Sequence, residues 1–208
     1  MIVQSPFRHL RPPALALILF MAATFSPLFP EAAAQETDAL EGAEYRVKAA
    51  FVYHFVRFTH WPDGAFERPE SPLILCVAGE PPGIEALFSL RDKLVRGRPI
   101  LVRRFAPDEA AACHVLFVGM ASPERVARAM GAVRRKGVLT IGESDAFVQQ
   151  CGIIHFFLEG DHLRFGVNLS AAGRAEIRFS SQLLMSAEIL QDPEACPRSP
   201  SRTRPEEE

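Results

Sequence analysis

The residues of this chain best equipped for chemistry are four cysteines, Cys76, Cys113, Cys151 and Cys196, and six histidines. No two cysteines form a CxxC pair, which argues against a zinc ribbon and against a thioredoxin-like redox motif. His54 and His60 do not share a helical face, because partners on one face recur three or four residues apart. His114, His155 and His162 fall on strand-like or turn-like segments without HxH or HExxH spacing, so no metal site is expected. GxSxG is absent, and Gly142-Glu143-Ser144 lacks the following glycines of a phosphate loop. Glu143 and Asp145 could act as an acid pair, but a place at a strand end fits helix capping equally well. No catalytic residue and no cofactor are therefore expected, and the chain reads as a binding protein rather than an enzyme.

Composition narrows the class further. The chain has 208 residues, 48% hydrophobic and 23% charged, which fits one globular domain with extensions and excludes a mostly disordered chain. Its formal net charge of −2 gives no global pull toward nucleic acid or an anionic membrane, and no nucleic-acid partner is expected. Residues 1–34 read as a secretory signal peptide. Arg8 and Arg11 precede an apolar run over 14–25, which is short of the ~20 residues of a membrane span. Ala32-Ala33-Ala34 then offers a cleavage site before Gln35. The expected location is the periplasm, as an exported soluble protein, and in an oxidising compartment paired cysteines become disulfides.

The elements that must position these residues follow from the apolar patterning. Residues 35–43 are polar and small, a frayed start. Residues 45–59 lack Gly and Pro, are apolar on nearly all sides, and end at Trp61-Pro62; such a helix is buried or lies in an interface. Strands are expected at 73–78, 99–105, 114–118 and 138–141, with helical segments at 84–91, 123–133 and 145–150. Segments 153–158 and 163–169 flank a Gly-containing turn and read as a hairpin. An extended piece at 177–179 leads into a closing helix over 181–190. The fold class is α/β: a mostly parallel sheet with an antiparallel edge hairpin and helices on both faces. The domain spans 44–191, and 192–208 is expected to be a disordered tail.

Several segments together resemble the YfiR-like family of exported bacterial regulators: EYRVKAAFVYHFVRFTHWP at 44–62, Leu75-Cys76-Val77, Gly97-Arg98-Pro99-Ile100, Cys113-His114-Val115-Leu116-Phe117, VLTIGES at 138–144, GIIHF at 152–156, FGVNL at 165–169 and IRFSSQLL at 177–184. The resemblance implies a periplasmic regulatory protein without catalysis of its own. It would restrain a membrane-anchored diguanylate cyclase by binding that enzyme's periplasmic sensor domain, and an outer-membrane lipoprotein could sequester it. A small-ligand binding module without a signalling partner is the alternative.

The resemblance also marks sites. Cys76 and Cys113 match a cysteine pair of the family, and strands starting side by side suit a disulfide. Cys151 and Cys196 leave two alternatives open, a bridge to each other or links between chains in a homodimer. Trp61, the only tryptophan, and Arg178 fall in matching segments and could hold a small aromatic or carboxylate ligand, with a tryptophan packed as a lid on the core and an arginine in solvent as the favoured alternative. Phe51, Phe55 and Phe58 supply more apolar surface than one sheet face easily covers and are expected at a partner interface, with burial in the core as the alternative.

Overall fold

The computed structural model describes residues 31–81, 83–120, 122–133, 137–194 and 196. The expected signal peptide at 1–34 therefore lies outside the described residues apart from its last four. Most of the expected tail, 195 and 197–208, also lies outside them.

The chain opens with α1, Glu31–Phe58, and passes directly into a two-residue strand β1, Thr59–His60. Helix α1 begins well before residue 45, so the stretch expected to fray is helical. Then follow β2 (Leu73–Ala78), a single turn α2 (Glu85–Phe88), β3 (Leu94–Val95), β4 (Arg98–Arg104) and a 3-10 helix at Pro107–Ala112. β5 (Val115–Val118), α3 (Pro123–Ala132), β6 (Leu139–Gly142) and α4 (Asp145–Gln149) continue the alternation. The chain ends in β7 (Ile154–Glu159), β8 (His162–Asn168), α5 (Leu169–Arg174), β9 (Arg178–Phe179), α6 (Ser181–Leu184) and β10 (Glu188–Leu190).

Among the described residues, eight strands form one sheet in the order β10-β8-β7-β6-β5-β2-β4-β3, with β1 and β9 in a separate antiparallel ribbon. Pairings from β4 through β2, β5 and β6 to β7 are parallel, while β7–β8 and β3–β4 are antiparallel. The fold is thus α/β with a mostly parallel sheet. Period-two alternation along the central strands sends successive side chains to opposite faces. On one face Leu75, Val77, Val115, Phe117 and Ile141 pack with Val52, Phe55 and Val56 of α1. On the other, Cys76, Ala78, Leu116 and Val118 pack with Val126, Ala129 and Met130 of α3 and Phe147 of α4.

Two expectations about the end of the chain need correcting. The β7–β8 hairpin is not the edge of the sheet, because β10 pairs with β8 in parallel outside it. The closing helix also stops at Leu184, and residues 188–190 are strand. The reason lies on β8. Gly166 has no side chain, and Leu190 occupies the space above it so closely that a Cβ there would lie 2.5 Å from Leu190 Cγ. The open edge of β8 thus takes an apolar segment that would otherwise continue a helix.

Candidate functional site: a basic cleft beside the opening helix

The end of α1 is fixed from both sides. Thr59, fully buried, donates its hydroxyl to Phe55 O at 2.7 Å. β1 then pairs with β9, setting His60 opposite Arg178, and Ser180 N donates to Phe58 O at 3.0 Å. This short ribbon brings Trp61 and Arg178 to one cleft of about 560 Å³, which Phe66, Arg68, Arg96 and Arg98 also line. The two residues expected to share a ligand are therefore neighbours across a cavity, although 117 positions separate them in the chain.

The floor of the cleft is an ordered aromatic stack. Trp61 Nε1 donates to His114 O at 3.3 Å, and its ring meets Phe66 edge-on at 5.9 Å. Phe66 stacks on His114 with centroids 4.4 Å apart and planes 9° from parallel. Ile74 N donates to His114 Nδ1 at 3.2 Å, so the ring proton sits on Nε2 and points at Ala65 O, 3.0 Å away. His114 is thus held as a neutral structural imidazole. The Arg98 guanidinium lies 3.9 Å from the Phe66 centroid and donates Nη1 to the carbonyls of Arg68 and Ser71 at 2.9 and 2.7 Å. Arg178 is exposed. With Arg68, Arg96, Arg98 and Arg178 against Asp63 and Glu67, the cleft is cationic over an aromatic floor. That combination suits an anionic ligand with a flat apolar body.

The remaining expected sites separate into distinct environments. Cys76 and Cys113 are bridged, with Cα atoms 5.8 Å apart and both residues 1% exposed. Cys151 and Cys196 are bridged to each other at the same Cα separation, and no described cysteine is free. Phe55 departs from its expected place on a partner surface. It is fully buried, with its ring 5.5 Å from Phe156 and 4.7 Å from Phe165. The β7–β8 hairpin closes over that side of α1, leaving Phe55 no route to solvent. Phe51 and Phe58 are half-buried, Phe51 against Phe156 and Phe165 and Phe58 against His54.

One cluster was not foreseen as such. Lys48, 5% exposed, is held between Glu44 at 2.6 Å and Glu143, and Tyr45 donates its hydroxyl to the same Glu143 carboxylate. Glu143 therefore clamps α1 to the end of β6. The Ser144 hydroxyl accepts from Phe147 N at the start of α4, with Asp145 in its first turn. The Glu44–Lys48 spacing of one helical turn was visible in the sequence; the distant carboxylate was not. Nearby His155 is held below its ordinary pKa by burial, against the pull of Asp145 and Glu143. Among the described residues no group of three or more His, Cys, Asp or Glu side chains is placed to hold a metal ion.

A family profile described as YfiR/HmsC-like matches residues 45–188, from the buried part of α1 to the first residue of β10. A comparison with curated proteins finds no match. The matched region takes in the cleft, the Cys76–Cys113 bridge and nearly the whole sheet, and on that match the chain belongs to the YfiR/HmsC-like family.

Proposed function

We propose that this protein is a periplasmic regulator that restrains a membrane-anchored diguanylate cyclase by binding the cyclase's periplasmic sensor domain. The observation that carries the reading is the family match across residues 45–188. Restraint of this kind works by binding alone, because a bound protein shifts a membrane switch only through its different affinity for the two states. One flank of α1 supports a contact surface. Val47 is 47% exposed, and Phe51, His54 and Phe58 follow on the same helical face, each half-buried. The surface therefore comprises Val47 and the rims of Phe51 and Phe58, without Phe55.

Deleting the gene should raise cellular cyclic di-GMP, and a version lacking residues 1–34 and retained in the cytoplasm should fail to restore it. Val47→Asp should leave the fold intact and reproduce the deletion. Phe55→Asp should abolish folding, because a buried unpaired carboxylate costs several kcal/mol. Unchanged cyclic di-GMP in the deletion strain would overturn the reading.

The cleft favours a second reading, a small-ligand module. Trp61 is the only tryptophan, so its fluorescence reports on the cleft directly. Titration with a simple aromatic carboxylate such as phenylacetate should shift the emission, and Arg178→Ala should abolish the shift. An emission indifferent to ligand would leave this second reading without support.

A further inference from the structure

The strongest local charge imbalance in the described chain lies on the β3–β4 hairpin. Residues 91–104 carry Arg91, Lys93, Arg96, Arg98, Arg103 and Arg104 against Asp92 alone, in a chain whose net charge is −2. Three of these cations are engaged: Arg103 pairs with Glu109 at 3.2 Å, Arg104 with Glu80 at 2.7 Å, and Arg98 lies over Phe66 in the cleft. Arg91 donates to Val102 O at 3.4 Å and lies 5.9 Å from the Phe88 centroid, which leaves Lys93 and Arg96, joined by Arg57 from α1. All three are exposed, and none has an ion pair among the described residues.

These cations are held as one surface. Arg96 Nη2 donates to Arg57 O at 3.2 Å. The Tyr53 ring has Lys93 Nζ 5.6 Å and the Arg57 guanidinium 5.8 Å from its centroid. The Tyr53 hydroxyl donates to Leu94 O at 3.0 Å, which ties the helix to the hairpin. In the midst of these cations Leu94 is 61% exposed. The backbone adds an independent sign. Arg96 sits at φ 52°, a left-handed position that glycine or asparagine occupies more cheaply, and Asp92 at φ 64° is another. An arginine placed where its backbone is disfavoured points to use of its side chain.

We propose that the β3–β4 hairpin, with Tyr53 and Arg57 of α1, docks on an anionic phospholipid bilayer. The cations meet headgroup phosphates, the Tyr53 ring lies at the interface, and Leu94 enters the acyl boundary. An acidic protein face would satisfy the cations but would need a pocket for the leucine; a bilayer accepts both without one.

The test is co-sedimentation of the protein, in the form its host accumulates, with vesicles of phosphatidylcholine alone and of phosphatidylcholine mixed with phosphatidylglycerol. The readout is the excess binding to the anionic vesicles, which removes any binding that does not depend on anionic lipid. High salt should abolish the excess, and each cation removed should lower it about fivefold. Lys93→Glu with Arg96→Glu should therefore erase it while the melting temperature holds, and Leu94→Ser should weaken it without removing its salt dependence. No anionic excess, or an excess that survives the double substitution, overturns the proposal. So does an absence of vesicle binding combined with salt-sensitive binding to polyglutamate, which would assign the surface to an acidic protein instead.

Discussion

The two disulfides look alike when measured and differ in what surrounds them. They span 37 and 45 residues, and each holds its Cα atoms 5.8 Å apart. Loop-closure entropy alone gives each about 4 kcal/mol. Cys76–Cys113, however, lies inside the core between β2 and the residue leading into β5, strands already hydrogen-bonded to each other. Cys151–Cys196 ties the last described residue to the turn after α4. Between it and β10, Asp192 accepts from Arg174 at 2.6 and 3.0 Å and from Asn168 at 2.7 Å. The first bridge joins parts that cannot move independently; the second fastens a strap. Similar loop lengths therefore do not imply equal stabilisation, because a strap set loose regains entropy in the native state that a core segment cannot.

That contrast is breakable. The largest effect belongs to Cys113→Ser: the unfolded chain is freed of the 37-residue cross-link, and one serine hydroxyl and the Cys76 thiol are left in an apolar core. A loss of about 4 kcal/mol or more should lower the melting temperature by roughly 10 °C or more, read by differential scanning calorimetry. Cys196→Ser should cost visibly less. Its signature is local: amides of 188–190 should lose hydrogen-exchange protection while those of β2 and β5 keep theirs. Equal melting-temperature losses in the two variants would erase the distinction.

The smallest effect is a pH dependence of the strap, sharpest in the Cys196→Ser background. Arg174, with help from Asn168, holds the Asp192 carboxyl below its ordinary value of 3.8 against the opposing effect of burial. A depressed carboxylate contributes stability above its unfolded pKa and loses it as pH falls through the lowered folded value. Amide shifts of 188–190 should therefore hold steady from neutral pH down to that ordinary value and move below it. Asp192→Asn should flatten that dependence, as followed by NMR.

How much of this the sequence disclosed depended on the range of the interactions. The apolar run LILCVA at 73–78 matches β2 residue for residue, since a strand buried on both faces needs no partner to be recognised. The segment of β10 continues a helical pattern in the sequence, because its strand character comes from the vacancy above Gly166 on another strand. α5 was hidden at the end of an apolar strand, and its start is marked only by the Asn168 side chain accepting from Ala171 N. In the candidate site, Trp61 and Arg178 stood out through family segments, whereas their meeting depends on a ribbon of two residue pairs too short to leave a pattern. Phe55 and Phe51 were indistinguishable in sequence, being part of a helix apolar all round. Only the placement of the β7–β8 hairpin makes one core and leaves the other at the rim.

The bridges also follow the order of the chain. Four cysteines admit three pairings, and the one present joins the first to the second and the third to the fourth. In a chain that reached an oxidising compartment N-terminus first, Cys76 would meet its partner before Cys151 arrived to compete, and Cys151 would then wait only for Cys196. Joining each unpaired thiol to the next one to arrive would give the native set directly, so oxidation in that order would call for an oxidant but no reshuffling of bridges.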